Sequence, residues 1–216
     1  MGEIRSELHQ PTLSSRIARH IEQLILEGRL RPGARLVEEQ IARQLGISRA
    51  SLREAIIGLE GAGLIAREGR STRVIRRLDQ RDVAELYEMW TILEGEAAAM
   101  ACRDATAADQ AAITRVMKAM EQANDRHAYH RLNLDFHQAL VAPCRNRRLV
   151  ESYDACLKQV RWVWALAIGA AGDPAVSRRE HRAIAAAYFA RDAEKTRALI
   201  RAHLSEGANR TITAAL

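Results

Sequence analysis

The chain has 216 residues, a formal net charge of +6 and 48% apolar side chains. That length suffices for two compact domains, and the apolar content excludes a disordered chain. The basic excess is uneven: residues 1 to 76 hold 13 Arg against 9 acids, whereas 77 to 216 hold 20 basic and 18 acidic side chains, so the charge that a phosphate backbone attracts is concentrated early in the chain.

At the N-terminus Glu3, Arg5 and Glu7 interrupt any apolar run, which argues against a secretory leader. The longest apolar stretch, Trp162 to Gly172, is too short for the ~20 residues that span a bilayer. Cys102, Cys144 and Cys156 are odd in number and widely spaced, the pattern of small buried thiols in a reducing compartment. A cytoplasmic protein without a membrane partner is expected.

A first helix is predicted from Ile17, Ile21, Leu24 and Ile25, ended by Gly28 and followed by a turn at Arg31-Pro32-Gly33 before Leu36. In Ile41-Ala42-Arg43-Gln44-Leu45-Gly46-Ile47, Gly46 can take the left-handed conformation that closes a second helix. Ser48 can then cap a third through its hydroxyl, giving a helix-turn-helix. Leu52, Ala55, Ile56 and Leu59 recur at helical spacing and face inward, which leaves Arg49 and Arg53 free to enter a groove. Arginine suits the task because its fork can meet guanine or bridge phosphate oxygens. Leu64-Ile65-Ala66 and the run Glu68 to Ile75 read as two short strands around a polar turn, a wing. The expected contacts to double-stranded DNA are Arg35, Ser48, Arg49, Ser51, Arg53, Gly69, Arg70 and Arg73.

The pattern turns purely helical at Arg76-Arg77-Leu78-Asp79. Val83, Leu86, Trp90, Leu93, Ala97 and Met100 keep a three-and-four spacing along one long helix, and further helices are expected at about 107–124, 127–142, 147–170, 175–190 and 193–213. The expected fold is therefore mainly α: a winged helix-turn-helix with a small β wing over residues 1–76, and an all-α antiparallel six-helix bundle over 77–216.

Histidines carry the chemistry of the bundle. His137 lies one helical turn after Asn133, so imidazole and amide share a face. His181 and His203 are each eleven residues from Asp192, the expected turn of a helical hairpin. Folding that hairpin brings both rings to one level, about 16 Å from the turn. Three imidazoles from three helices, with an oxygen donor, suit a divalent transition metal such as zinc, nickel or manganese, with positions open for water or a ligand. The alternative for each is a hydrogen-bonded core or surface histidine.

The segment with Leu30-Arg31-Pro32-Gly33, Leu36, Glu38, Leu45-Gly46-Ile47-Ser48-Arg49, Leu52-Arg53-Glu54-Ala55 and Leu59 resembles the winged-helix domain of GntR-type transcription regulators. Leu93-Glu94, Phe136-His137, Leu140, Asn146, Leu149, Glu180-His181, Asp192 and His203-Leu204 resemble their all-helical, FCD-type ligand-sensing domain in the FadR and VanR branch, and six helices favour the VanR side. The resemblance implies a homodimer, repressor or activator, on a pseudo-palindromic operator, answering to a small organic acid. It also implies a metal held by Asn133, His137, His181 and His203, whose free positions take the acid's carboxylate.

Two positions, Trp90 and Glu39, depart from that pattern. Where relatives often carry Arg, four residues before Glu94, this chain has Trp90, which either fills part of the effector pocket or packs in the core. Arg161 is a candidate substitute cation for the effector, or a solvated arginine. Glu39 stands in the second helix where relatives often carry a basic DNA contact, and a carboxylate there repels phosphate. Two other functions compete with an acid sensor. A metal-dependent enzyme needs an acid or base beside the metal, and Asp135, two residues from both Asn133 and His137, points about 200° away. A ligand-independent DNA-binding protein would ignore metal altogether.

Overall fold

The computed structural model describes residues 12–69, 71–166 and 174–215, and the chain divides into two compact units, Met1–Arg77 and Leu78–Leu216. Arg70, one of the expected DNA contacts, and residues 167–170 of the expected fourth bundle helix lie outside the described residues.

In the first unit α1 (Leu13–Leu26) starts at Thr12, whose hydroxyl accepts from Ser15 N, and buries Ile17, Ile21 and Ile25. Helix α2 (Glu38–Leu45) stops at Gly46, whose φ of 63° is open to glycine at little cost. Helix α3 (Arg49–Gly61) begins at Ser48, whose Oγ accepts from Ser51 N at 3.1 Å, and buries Leu52, Ala55, Ile56 and Leu59. Strands β1 (Ile65–Glu68) and β2 (Thr72–Ile75) pair antiparallel from Ile65 with Ile75 to Glu68 with Thr72. The segment before α2 also joins this wing, a feature the turn reading of Arg31-Pro32-Gly33 missed. Arg35 bridges Val74, Leu36 N donates to Arg73 O at 2.8 Å, and Gly33 N donates to Ile75 O at 2.8 Å. β2 is thereby hydrogen-bonded on both edges.

The second unit contains, among the described residues, six helices: α4 (Gln80–Asp104), α5 (Ala107–Gln122), α6 (Arg126–Val141), α7 (Arg147–Leu166), α8 (Pro174–Phe189) and α9 (Ala193–Ala215). Reciprocal capping boxes, Asp79 with Asp82 and Thr106 with Asp109, fix the starts of α4 and α5. The central helix α4 packs along α9 and against α6 and α7.

Its inward stripe differs from the expected one at two places: Leu93 is half-buried and Met100 is 41% exposed, while Tyr87, Glu94, Ala98 and Ala101 are buried. A strict heptad drifts off the face of a straight helix of 3.6 residues per turn, and over the roughly five turns from Val83 to Met100 the drift carries Met100 out. The α8–α9 hairpin turns at Arg191, a non-glycine residue with φ of 58°. Its guanidinium holds the C-terminal carbonyls of α4 and the residue after it, donating to Arg103 O at 2.9 Å and Ala105 O at 3.2 Å. Those bonds offset the left-handed backbone.

Candidate metal centre and nucleic-acid interface

His137 on α6, His181 on α8 and His203 on α9 meet in the bundle core, each offering a ligand atom within 4.8 Å of the others. They are 0%, 1% and 6% exposed. Carboxylates hold two of the rings from behind. His137 Nδ1 lies 2.6 Å from Glu94 Oε1, and His203 Nδ1 lies 2.6 Å from Glu180 Oε2. A carboxylate at Nδ1 accepts a hydrogen bond from the ring N–H, which keeps the proton on Nδ1 and leaves the Nε2 lone pair free. His181 Nε2 lies 3.1 Å from His203 Nε2, a contact in which His181 donates when His203 carries its proton on Nδ1 and gives it in a hydrogen bond to Glu180.

Burial, reinforced by the neighbouring His203, His137 and Arg210, pushes His181 well below the usual imidazole range. His203 is also lowered by burial, against the opposing pull of Glu180. Glu180 is lowered chiefly by its hydrogen bond with His203. His181 and His203 are thus held neutral at pH 7, the state in which imidazole ligates metal.

Asn133, one turn before His137, is 6% exposed, and its Oδ1 is buried without a hydrogen-bond partner, as is His137 Nε2. Trp90 is fully buried: its indole Nε1 donates to Glu94 Oε2 at 2.6 Å and its ring meets His137 edge-on at 5.0 Å. Arg161 is exposed, donates to Gln138 Oε1 at 3.4 Å, and is not among the side chains gathered around the triad.

In the first unit Ser48 and Arg49 are exposed at the start of α3, Ser51 is half-buried beside the cap, and Arg35 is exposed with Nη2 donating to Thr72 Oγ1 at 3.1 Å. Gly69, with φ of 67°, turns the wing. Two arginines depart from the expectation of free DNA contacts. Arg73 has a side chain only 17% exposed and binds Glu38 through Nη1 at 2.6 Å and Glu60 through Nε at 2.9 Å, so it ties the wing to α2 and α3. Arg53 donates to Glu38 Oε2 at 2.6 Å while remaining half-exposed. Arg49 has no hydrogen bond or ion pair with another described residue. Glu39 is exposed and paired with Arg43 at 3.2 Å, which screens part of its repulsion toward phosphate.

A profile for the bacterial regulatory proteins of the gntR family matches residues 13–75, and the FCD domain profile matches residues 85–206. The chain belongs to the GntR family. This GntR protein is a transcriptional regulator with a DNA-binding helix-turn-helix and an FCD domain. It is 28% identical over 169 residues to a protein of Paenarthrobacter nicotinovorans named as a D-xylose utilization operon transcriptional repressor, covering 77% of this chain and 75% of that one. With the Glc operon transcriptional activator of Escherichia coli K12 it shares 31% identity over 156 residues, 62% of this chain and 61% of the relative, so the match spans under two thirds of that regulator. The solved structure of E. coli McbR/YncC superposes with a TM-score of 0.78 at 21% identity, over 94% of this chain and 99% of that one. At that identity the likeness establishes the fold alone.

Sequence reasoning gave no site role to four residues that this GntR regulator places around the triad: the buried Glu94 and Tyr153 and the half-buried Glu180 and Arg210. Tyr153 Oη donates to Glu94 Oε2 at 3.3 Å, and Arg210 Nη2 lies 3.6 Å from Glu180 Oε2. Glu94 did leave a signal, as a lone acid on an apolar stripe four residues after Trp90. Glu180 left none, because it adjoins His181 and so leaves the helix about 100° away; α9 brings His203 to it. Among the described residues no helix is long and apolar enough to cross a membrane.

Proposed function

We propose that this regulator is a cytoplasmic homodimer that binds a pseudo-palindromic operator and changes its grip when a small organic acid binds at a divalent transition metal in the bundle. The observation that carries the reading is the meeting of three buried imidazoles from three helices, two of them backed by carboxylates. Free, buried Cys102, Cys144 and Cys156 suit the reducing compartment it requires.

The donors fit a cation. A buried polar atom without a partner costs about 1–3 kcal/mol, and here His137 Nε2 and Asn133 Oδ1 are both left without one. Asn133, His137, His181 and His203 would hold zinc, nickel or manganese, and Glu94 and Glu180 would orient two of the rings. When bound, the ion would supply a Lewis-acidic centre with positions open to a carboxylate. Four neutral ligands leave its charge uncompensated, but Glu94 and Glu180 stand behind them, so the preference for an anion is weaker than the ligand set alone predicts. Trp90 closes the site beside His137, and Arg210 brings a cation to Glu180 from α9.

In the reader unit, Arg49 and the α3 N-terminus would meet bases and phosphates, with Arg35, Ser48, Ser51 and Gly69 as further contacts. An acid bridging metal and helices would tighten the bundle and alter the separation of two such readers. Catalysis is the weaker reading: Asp135 is exposed, and Glu94 is engaged by His137, Trp90 and Tyr153. The deciding experiment measures operator affinity by fluorescence anisotropy across a panel of small acids, with metal-replete and chelated protein. A shift for one acid that needs the metal is expected; uniform affinity across the panel removes the sensing role.

A further inference from the structure

Arg49 and Arg53 lie four residues apart on α3 and share a face, but only Arg53 is held. Glu38 Oε2 accepts from Arg53 Nε at 2.6 Å, and Glu38 Oε1 accepts from Arg73 Nη1 at 2.6 Å. Arg73 in turn donates through Nε to Glu60, which also accepts from Arg67. The Glu38 side chain is 13% exposed, and its carboxylate is thus fixed from the wing as well as from α3. The bond to Arg53 is made at Nε alone. A guanidinium has five N–H groups, and this one keeps the four on Nη1 and Nη2 free of hydrogen bonds to other described residues, on a side chain that is 54% exposed. Two parallel donors at that end are what the N7 and O6 acceptors of a guanine require. A free arginine loses rotamer freedom on meeting a base, whereas a clamped one has lost it on folding and meets the base already aimed. Charge permits the role. Glu38 and Glu60 stand among Arg53, Arg67 and Arg73, two carboxylates to three guanidiniums, which leaves the cluster one net positive charge.

We propose that Glu38 is a positioning residue for base recognition: it presents the Nη1 and Nη2 end of Arg53 to one G·C pair, and the wing sets that presentation through Arg73. The inference rests on the operator binding proposed above and names a residue that sets its specificity without touching DNA. The probe is the duplex that the full chain selects from a pool of random sequences, compared with its single-base-pair variants and an unselected duplex by fluorescence anisotropy at one salt concentration. Arg53→Ala lowers the preference at one G·C pair about tenfold. Glu38→Gln lowers the preference at that same pair about fivefold, while binding to the unselected duplex is unchanged or tighter, because a carboxylate beside the phosphates has been neutralised. In Arg53→Ala protein, adding Glu38→Gln changes the preference no further. Glu60→Gln, which loosens Arg67 and Arg73 without touching Arg53, keeps the preference. A preference that survives Arg53→Ala or Glu38→Gln overturns the proposal. Equal losses on selected and unselected duplexes, or a loss in Glu60→Gln as large as in Glu38→Gln, reduce Glu38 to a structural brace and overturn it as well. Tighter binding of Glu38→Gln to the selected duplex does the same, because Glu38 then holds Arg53 away from DNA. A wild type that selects no sequence removes operator binding itself.

Discussion

His137 Nδ1 and Glu94 Oε1 lie 2.6 Å apart with neither side chain exposed. The carboxylate also accepts from Trp90 Nε1 and Tyr153 Oη, so one acid on α4 fixes side chains of α6 and α7 together. Glu94→Gln keeps the size but offers one acceptor oxygen in place of two. Loss of such an orienting carboxylate typically weakens metal binding about 10- to 100-fold. Chelator competition on the folded variant checks this, and unchanged affinity would show that the ring needs no such support.

Metal should also stabilise the folded chain by mass action. At free metal a hundred times the dissociation constant, about 2.7 kcal/mol is added, so the melting temperature rises with zinc, nickel or manganese and falls back with chelator. His137→Ala and His203→Ala should each abolish most of that rise. A rise that survives both substitutions would place the binding elsewhere.

Local rules made most of this fold legible. Gly46 and Ser48 announced the turn and the cap through chemistry confined to a few residues, and the hairpin symmetry of His181 and His203 about Asp192 followed from helix rise alone. What stayed hidden depended on which neighbour a charge would find. Arg53 and Arg73 read as free cations because nothing in their spacing tells that Glu38 and Glu60, up to 35 residues away, turn toward them. Glu180 was hidden for the same reason, since its partner lies on another helix.

Arg49 and Arg73 should therefore separate reading from folding. Arg49 makes no hydrogen bond or ion pair with another described residue, so Arg49→Ala leaves urea stability unchanged and weakens operator binding by about 1–3 kcal/mol if it reads a base pair. Arg73→Ala leaves Glu38 and Glu60 facing the space the guanidinium filled and lowers stability by about 1–3 kcal/mol. Equal loss on operator and random DNA for Arg49→Ala would make that residue a phosphate contact.

Cys156 gives the alkaline limb of stability. The residue is 1% exposed, and burial, with Glu94 adding its charge, pushes the thiol up to about 12. In the unfolded chain a thiol ionises near ~8.5. Below that value both states keep the proton and the native state has its full stability. Above it the unfolded chain releases a proton that the native chain retains, so stability falls from about pH 8.5 toward 12, by up to about 1.4 kcal/mol per pH unit for this one group. Urea unfolding at pH 8, 9 and 10 should show a decline that Cys156→Ala makes shallower, other buried tyrosines and Cys102 accounting for the remainder. Alkylation of the native protein at pH 8 should spare Cys156, whereas denatured protein reacts. Rapid native labelling, or identical pH slopes in the two proteins, would mean that the thiol is reached by solvent.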